Sequence, residues 1–361
     1  MHGFYSVNGK QFFNKLEAIR EAQATGTWPH WNFHEAEYTK HNWQDEPAKS
    51  LQQLYIERAL ELRSQYDYLV LHYSGGNDSN QILQAFIDAR VKIDEISIRT
   101  AHRDRPNDTT DLRSENTFAG YSIAYQNALW VQNTLWPGLK ISELNVTDAA
   151  IKNSNDPNWQ NRLTSSISIV NTWRDYDLHT GTRSIANRGV KVAHILGIDK
   201  PTMGLDEHGW FVQFVDKIPN NHINLRAQNT DGLVVEFFYW ANTTAPVIIK
   251  QAHTLLSALA SGAISQKHIT GRDTPSQNAV AGIIYKHKFT IWAEEKPSMP
   301  GVVKNHEAWI YSDSQTDQFA HWVKTLREID ATIEKRFLHG SALGDLVGNL
   351  SPKYYVKKFN D

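Results

Sequence analysis

The chain contains no cysteine among its 361 residues. The polypeptide therefore cannot supply a thiol nucleophile, a cysteine-ligated zinc ion or a cysteine-held iron–sulfur cluster. Its 16 histidines show no spacing that specifies a metal site, because His30 and His34, four residues apart, lie in a tryptophan-rich segment without a convincing helical pattern. Chemistry that depends on protein-bound sulfur is excluded, and a histidine-based metal site is not indicated.

Long apolar runs and a strong charge of one sign are also missing. No stretch is long and apolar enough to cross a bilayer, and Met1 does not open a charged-then-apolar leader, so we expect a cytoplasmic protein with no membrane partner. The net charge of −2 does not indicate a nucleic-acid partner and does not exclude one. The length favours two domains, or one domain with substantial additions.

Between residues 68 and 90 the spacing of the apolar residues changes sharply. Leu69 to Leu71 form a continuous apolar run, which is typical of a strand buried on both faces of a sheet. From Ser79 to Arg90 the apolar residues follow helical spacing instead. The turn between strand and helix must therefore lie at Ser74 to Asp78.

The residues of this turn suit a phosphate group. Gly75 and Gly76 can adopt positive φ angles and carry no side chain, so several backbone N–H groups can converge on an anion at the start of the following helix. Ser74 and Ser79 add hydroxyl donors, and Asp78 is placed to hold a divalent cation that bridges phosphates. The alternative is a tight glycine turn with a serine or aspartate helix cap, which does not require both serines and both glycines in this order.

The pattern Ser-Gly-Gly-x-Asp-Ser after a strand resembles the pyrophosphate-binding loop of the N-type ATP pyrophosphatases, the PP-loop superfamily. The similarity covers about residues 65–200 and is nearest in style to the synthetase domain of asparagine synthetase-like enzymes. It implies ATP and Mg²⁺ as cofactors, and Asp78 as a catalytic residue and a magnesium ligand. The nucleotide-binding residues that it implies are Ser74, Gly75, Gly76, Asn77, Asp78 and Ser79.

Within that superfamily the missing cysteine excludes several branches. Members that transfer sulfur to tRNA or reduce adenylylated sulfate generally need cysteine in the polypeptide. The glutamine-hydrolysing domain of asparagine synthetases uses an N-terminal cysteine, whereas this chain opens Met1-His2-Gly3. A nitrogen nucleophile would therefore come from ammonia, an amine substrate or a separate partner.

The resemblance also points to the ends of two other strands. Asp199 is the candidate second magnesium ligand, and Lys200 is the candidate catalytic cation that neutralises the departing pyrophosphate. An ordinary turn after the strand, formed by aspartate and proline, would explain the same residues. Asparagine synthetases usually carry Asp-Glu at the position where this chain has Asp199-Lys200. Adenine recognition by backbone groups at the end of the second strand would fall on Ile98, Arg99 and Thr100.

Other charged residues carry weaker indications. Residues 101–105, Arg183 and Lys250 are cationic candidates for contact with phosphate or an anionic acceptor. Solvated surface positions would explain these charges as well. Asp206 and Glu207 lie at a predicted hairpin turn, where we expect them to cap backbone N–H groups.

Strand and helix patterns alternate in the middle of the chain, which predicts an α/β fold with a mostly parallel, doubly wound sheet of the PP-loop (HUP-like) type. We expect an N-terminal helical, tryptophan-rich extension over residues 1–64, an ATP-binding domain over 65–200 and an α+β acceptor or lid region over 201–361. The last region is predicted to contain a short strand at Leu233–Trp240 and to be rich in loops over 262–315. The aromatic residues of the extension are expected to pack in a core: Trp28, Trp31, Phe33 and Trp43.

The activity implied by the resemblance is that of an AMP- and pyrophosphate-forming ligase. ATP would adenylate a carboxylate or carbonyl oxygen, and an amine or ammonia would displace AMP. A nucleotidyltransferase, or an enzyme that adenylates a nucleobase free or within a nucleic acid, is the alternative among enzymes. A non-catalytic nucleotide-binding module is the alternative outside them. The sequence leaves open the acceptor, a small molecule or a nucleobase, and the oligomeric state.

Overall fold

The computed structural model of the chain describes residues 4–12, 18, 21–22, 24–27, 29–100, 124–145, 181–197, 201–217, 232–271, 274–285 and 347–359. In chain order the strands are β1 (Tyr5–Val7), β2 (Lys10–Phe12), β3 (His30–Trp31), β4 (Tyr68–His72), β5 (Glu95–Thr100), β6 (Lys140–Asn145), β7 (Val192–Leu196), β8 (Thr202–Asp206), β9 (Gly209–Gln213), β10 (Val215–Lys217), β11 (Leu233–Phe237), β12 (Val347–Leu350) and β13 (Tyr354–Lys358). The helices are α1 (Glu35–Tyr38), α2 (Leu51–Gln65), α3 (Asn77–Asp88), α4 (Gln126–Thr134), α5 (Arg183–Ala186), α6 (Ala245–Ala260), α7 (Gln266–Thr270) and α8 (Thr274–Ile284).

A five-stranded sheet lies at the centre, in the order β11-β7-β4-β5-β6, and every pairing in it is parallel. The chain runs from β4 outward through β5 to β6, and then crosses back to β7 and β11 on the other side of β4. The strand order therefore reverses between β4 and β7. The predicted α/β fold with a mostly parallel sheet is confirmed.

Apolar side chains of the central strand alternate between the two faces of this sheet. Leu69 and Leu71 of β4 belong to the main core, together with the apolar side of α3. On the opposite face a smaller apolar cluster forms beside α5, made of Val70, Ala186, Val192 and Leu233. Because both faces are covered, the continuous apolar run in β4 has the role that the sequence predicts.

The N-terminal extension is not simply helical, which corrects the expectation from sequence. β1 pairs antiparallel with β2 and β3 in a small sheet. Asn8 and Gly9, between β1 and β2, take φ angles of 48° and 78°. Positive φ at both central residues is the geometry that closes a two-residue hairpin, and Asn-Gly is the sequence that favours it.

Buried aromatic residues join the extension to the rest of the protein. Trp31, Phe33 and Trp43 are at most 5% exposed, which confirms their predicted core role, whereas Trp28 lies outside the described residues. Trp43 stacks on Tyr354 of β13 with ring centroids 4.4 Å apart. The extension therefore packs on the antiparallel sheet β13-β9-β8.

Segments that follow residue 201 are divided between several sheets. β8, β9 and β13 form the antiparallel sheet, and β10 pairs with β12. β11 instead extends the central sheet as its edge strand beside β7, so the predicted strand at Leu233–Trp240 is part of that sheet. α6 packs against α2 and α8, and α7 and α8 form within a segment predicted to be rich in loops.

Within the described part of the chain, none of the helices combines the length and the apolar character that a membrane span needs.

A buried ion pair connects α2 to β11. The Arg58 guanidinium donates to Glu236 Oε2 over 2.9 Å and to the Phe237 carbonyl over 3.2 Å. A second guanidinium nitrogen donates to Glu61 over 2.9 Å. The Tyr66 hydroxyl donates to the other oxygen of Glu236 over 2.5 Å. The Arg58 side chain is only 4% exposed and that of Glu236 is 11% exposed, so water screens neither charge well. Each of these two charges is therefore stabilised by the other.

Arg58→Ala is expected to lower the free energy of unfolding by about 3–5 kcal/mol, because it leaves the Glu236 carboxylate buried without its cation. Urea unfolding followed by far-ultraviolet circular dichroism measures the change. Lys49→Ala is the control, because the Lys49–Glu57 pair is 57% and 47% exposed. An exposed pair of this kind contributes at most about 1 kcal/mol. Equal losses in the two variants would contradict the importance of burial.

Candidate functional site

The predicted phosphate loop follows the central strand β4, at the edge of the sheet where the strand order reverses. Gly75 has a φ angle of 71°, in the left-handed region that favours glycine. Gly76 is the N-cap residue of α3, and no side chain caps this helix. The alternative of a serine or aspartate cap is therefore not what forms. A helix N-terminus preceded by glycine, at this edge of an open sheet, favours binding of an anion.

Hydroxyl and amide groups brace the loop from inside. The buried Ser79 hydroxyl accepts from the Ser74 N–H over 3.3 Å and donates to the Gly76 carbonyl over 3.1 Å. The Asn80 side-chain amide donates to the Gly75 carbonyl over 3.0 Å. The structure therefore uses Ser79, predicted as a phosphate donor, within the loop itself. Ser74 is exposed, but its hydroxyl also takes part in the loop: it accepts from the Gly76 N–H over 3.4 Å and lies 3.3 Å from the Ser79 hydroxyl.

A second set of hydrogen bonds holds the start of the loop. The Tyr73 N–H donates to the Ser97 carbonyl of β5 over 2.9 Å. The Tyr73 hydroxyl donates to the Asn80 side chain and accepts from Asn127 of α4 over 2.7 Å. Burial raises the pKa of Tyr73 well above its ordinary value, so this phenol stays neutral. The loop is thus tied to β5, α3 and α4.

β5 continues past the end of β4 beside the loop. β4 pairs with β5 as far as Ser97, whereas β5 stays paired with β6 as far as Thr100. The Ser97 carbonyl faces β4, because it accepts from the Tyr73 N–H. Backbone groups of alternate residues point to the same side of a strand, so those of Arg99 face the space beyond β4. The Ile98 side chain is 1% exposed and lies in the core.

The carboxyl end of β7 closely approaches the first turn of α3. A Cβ atom on Gly197 would lie 3.0 Å from Ile82 Cδ1 and 3.3 Å from Asp78 Cβ, so a larger residue would have to displace its neighbours. Gly197 is the last described residue of this segment. Asp199 and Lys200, the predicted second magnesium ligand and catalytic cation, lie outside the described residues.

Three buried tyrosines lie around Asp78. Tyr55 comes from α2, Tyr239 follows β11 and Tyr285 follows α8, and each is at most 7% exposed. The Tyr239 hydroxyl donates to the Asp78 carbonyl over 2.9 Å. Burial and then the Asp78 charge raise the pKa of Tyr285 well above its ordinary value, so its phenol stays neutral.

The three rings form one cluster. The ring centroid of Tyr239 lies 6.0 Å from that of Tyr55 and 5.8 Å from that of Tyr285. The Tyr55 hydroxyl accepts from Gln251 over 2.8 Å and donates to the Ile284 carbonyl over 3.3 Å. The cluster could not be predicted from the sequence, because tyrosines in apolar patterns indicate core packing and no local spacing connects the three.

Two histidines meet across β4 and β7, where the strand order reverses. His72 Nε2 lies 2.8 Å from His194 Nδ1, and His194 Nε2 lies 2.6 Å from the Thr182 hydroxyl. In this contact one ring donates and the other accepts, because two N–H groups facing each other could not form a hydrogen bond. These histidines are 122 residues apart in sequence and meet only through the parallel pairing, so no spacing could have predicted the contact.

A buried carboxylate lies on the same face of the sheet as His72. The Glu95 side chain is 5% exposed and accepts from Tyr68 over 2.9 Å and from Lys140 over 3.0 Å. The Ser142 hydroxyl donates to its other oxygen. Every one of these partners lies on a strand of the central sheet.

The other charged candidates have separate roles. Lys250 forms an ion pair with Glu46 over 2.6 Å, which joins α6 to the N-terminal part of the chain. Arg183 is exposed on α5, and residues 101–105 lie outside the described residues. Asp206 accepts from two backbone N–H groups of the β8–β9 turn over 3.0 Å and 3.2 Å, which confirms its predicted role there.

Metal binding at the loop would depend on few protein ligands. Among the described residues, no cluster of three or more histidine, aspartate or glutamate side chains is arranged to hold a metal ion. Mg²⁺ is commonly held by one or two carboxylates together with phosphate oxygens, a mode that needs no such cluster. Asp78, partly exposed in the first turn of α3, fits that mode.

In comparisons with known proteins, no family model, no curated protein and no solved structure matches the chain. A function must therefore be inferred from the loop, the strand order and the side chains around them.

Ser79→Ala is expected to lower the free energy of unfolding by about 1–2 kcal/mol, because the Ser74 N–H and the Gly76 carbonyl lose their shared partner. Urea unfolding measures the change. Asn77→Ala, which alters an exposed neighbour in the same turn, should change the value by less than about 0.5 kcal/mol. A loss in Ser79→Ala no larger than in Asn77→Ala would show that the hydroxyl does not brace the loop.

Proposed function

We propose that the protein is an AMP- and pyrophosphate-forming ligase of the PP-loop type, which adenylates a carboxylate or carbonyl oxygen for attack by an amine or ammonia. The observation that carries the proposal is the position of the loop Ser74–Ser79. A sequence resembling a pyrophosphate loop lies at the carboxyl end of the central strand of a parallel sheet, where the strand order reverses. Ligands of open α/β sheets bind in this crevice.

The geometry of the loop supports binding of the pyrophosphate part of ATP. Gly75 and Gly76 carry no side chain, and the uncapped N-terminus of α3 favours negative charge. The Gly76 N–H donates to the Ser74 hydroxyl over 3.4 Å, a long hydrogen bond that a phosphate oxygen would replace. Because Ser79 and Asn80 already hold the loop in shape, little conformational entropy is lost on binding. In this proposal the exposed Ser74 hydroxyl adds a donor to the phosphate.

The end of β5 supports an adenine position beside the loop. The backbone of Arg99 faces the space past the end of β4, where its N–H and C=O can pair with the edge of a base. Ile98 contributes only through its backbone, because its side chain is buried in the core. Adenine would then lie on the β5 side of the loop.

Cleavage between the α and β phosphates requires that the pyrophosphate be held still and its charge balanced. In the proposed reaction an acceptor oxygen bonds to the α-phosphorus, the bond from that phosphorus to the bridging oxygen breaks, and pyrophosphate leaves. The amine then attacks the activated carbon and AMP leaves. Asp78 would hold Mg²⁺, which balances the phosphate charge when bound. Asp199 and Lys200 are proposed as the second carboxylate and the cation.

Pyrophosphate release from ATP and Mg²⁺, measured against separate pools of carboxylates with amines, of nucleobases and of nucleic acid, tests the proposal. We expect release that depends on a carboxylate and an amine. Release only with nucleobases or nucleic acid would favour the base-adenylating alternative. If no pool gives pyrophosphate release, both the ligase and the base-adenylating enzyme are excluded, and a non-catalytic nucleotide-binding module is left.

Asp78→Ala is expected to abolish pyrophosphate release while the protein still folds, because it removes the proposed magnesium ligand. Asp88→Ala is the matched control, since it changes an aspartate at the other end of the same helix. Circular dichroism and the release assay are compared for both variants. Turnover by Asp78→Ala at the wild-type rate would remove Asp78 from the magnesium site.

A further inference from the structure

Three polar side chains form a hydrogen-bonded chain that runs from the interior to the end of β4. His72 Nε2 lies 2.8 Å from His194 Nδ1, and His194 Nε2 lies 2.6 Å from the Thr182 hydroxyl. Thr182 and His194 are 1% and 3% exposed, whereas His72 is partly exposed. His72 is therefore the member of this chain that a bound molecule can reach.

His72 lies next to the phosphate loop, on the other face of the sheet from α3. It is the last residue of β4 and precedes Ser74 by two residues, so the two Cα atoms are at most about 7 Å apart. Val70 of the same strand packs beside α5 on the face opposite α3. Side chains two residues apart in a strand point to the same face, so His72 lies on that face too.

The geometry of the proposed reaction brings the acceptor to this face. In transfer at phosphorus the attacking and the leaving oxygens lie roughly in line, on opposite sides of the phosphorus atom. Pyrophosphate held at the N-terminus of α3 leaves toward α3, so the acceptor oxygen approaches the α-phosphorus from the side away from α3. The activated carbon that the amine attacks then lies on the side where His72 ends the hydrogen-bonded chain.

We propose that His72 is the catalytic base that takes the proton of the attacking amine, and that His194 and Thr182 are positioning residues for it. The inference rests on the proposed function and adds to it the group that activates the nucleophile. The lone pair of the amine nitrogen forms the bond to the activated carbon. The bond from that carbon to the AMP oxygen breaks, AMP leaves with the electron pair, and the nitrogen proton goes to His72.

The hydrogen-bonded chain provides an arrangement of protons in which His72 can act as this base. In it, neutral His72 donates from Nε2 to His194 Nδ1, and His194 donates from Nε2 to the Thr182 hydroxyl. Once His72 has taken a proton, its charge is stabilised by the same bond to neutral His194. A base held by a second group, which is itself held by a third, is the arrangement found in catalytic triads.

His72→Gln removes the base and keeps a side chain that can form hydrogen bonds. Pyrophosphate release by the full chain is measured with the carboxylate pool and either ammonium or hydroxylamine as the nitrogen source. Hydroxylamine is a much weaker base than ammonia, so its nitrogen gives up the proton to water without help. We expect the ratio of ammonium-dependent to hydroxylamine-dependent turnover to fall about a hundredfold.

The first half of the reaction is measured separately, as carboxylate-dependent exchange of labelled pyrophosphate into ATP. This exchange needs no amine, so it should be unchanged in His72→Gln. A purely structural role of His72 would lower exchange and both kinds of turnover together and leave their ratio as in the wild type, which would overturn the inference.

Two variants at Thr182 test the positioning role without changing either histidine. Thr182→Val removes the acceptor for His194 Nε2 and keeps the side-chain shape, so the turnover ratio should fall, by less than in His72→Gln. Thr182→Ser keeps the hydroxyl and should restore the wild-type ratio. Equal ratios in the two variants would remove Thr182 from the positioning role.

His208→Gln is the control for replacing a histidine, because the His208 side chain is 65% exposed in the β8–β9 turn. A wild-type ratio in His72→Gln, or an equal fall in His208→Gln, would overturn the inference, while pyrophosphate exchange by the wild type would leave the proposed function standing. If the wild type shows no exchange with any carboxylate of the pool, the proposed function fails and this inference fails with it.

Discussion

Burial of β4 on both faces is the constraint on which the arrangement of the rest depends. The strand has parallel neighbours on both edges and apolar cover above and below, so its polar groups are exposed only where it ends. The chain must therefore leave the sheet within a few residues and start α3 at once. Gly75 makes that turn possible through its positive φ, and Gly197 lets β7 end against the same helix.

On the face of the sheet opposite α3, buried polar side chains constrain the strand register in addition to the apolar residues. Glu95 and His194 are buried there, and both form hydrogen bonds with side chains of neighbouring elements. A shift of one residue in the pairing of β4 with β5 would move Glu95 to the other face from Tyr68 and remove that donor from its carboxylate. The buried polar groups therefore help to select one register.

Local features of this chain could be predicted from its sequence, and contacts between distant segments could not. The strand at Leu69–Leu71, the glycine turn and the helix after it follow from spacing and backbone freedom, and all three are present. The Asn8-Gly9 hairpin is an equally local signal, which the expectation of a helical extension overlooked. α8 and the tyrosines around Asp78 depend on packing between segments far apart in sequence, which no periodicity records.

Tyrosines surround Asp78, and one of them donates to its backbone carbonyl, which has an electrostatic consequence. A lysine or arginine beside a carboxylate orients it and also cancels its charge, whereas a phenol orients it and leaves the charge in place. Tyr239 therefore holds the backbone of Asp78, and the neutral phenols of Tyr239 and Tyr285 add no positive charge beside its carboxylate. The same contacts bring the end of α8 and the segment after β11 to the loop. In the proposed reaction the acceptor must approach ATP at this loop, so residues outside the central sheet are held where they can shape its pocket.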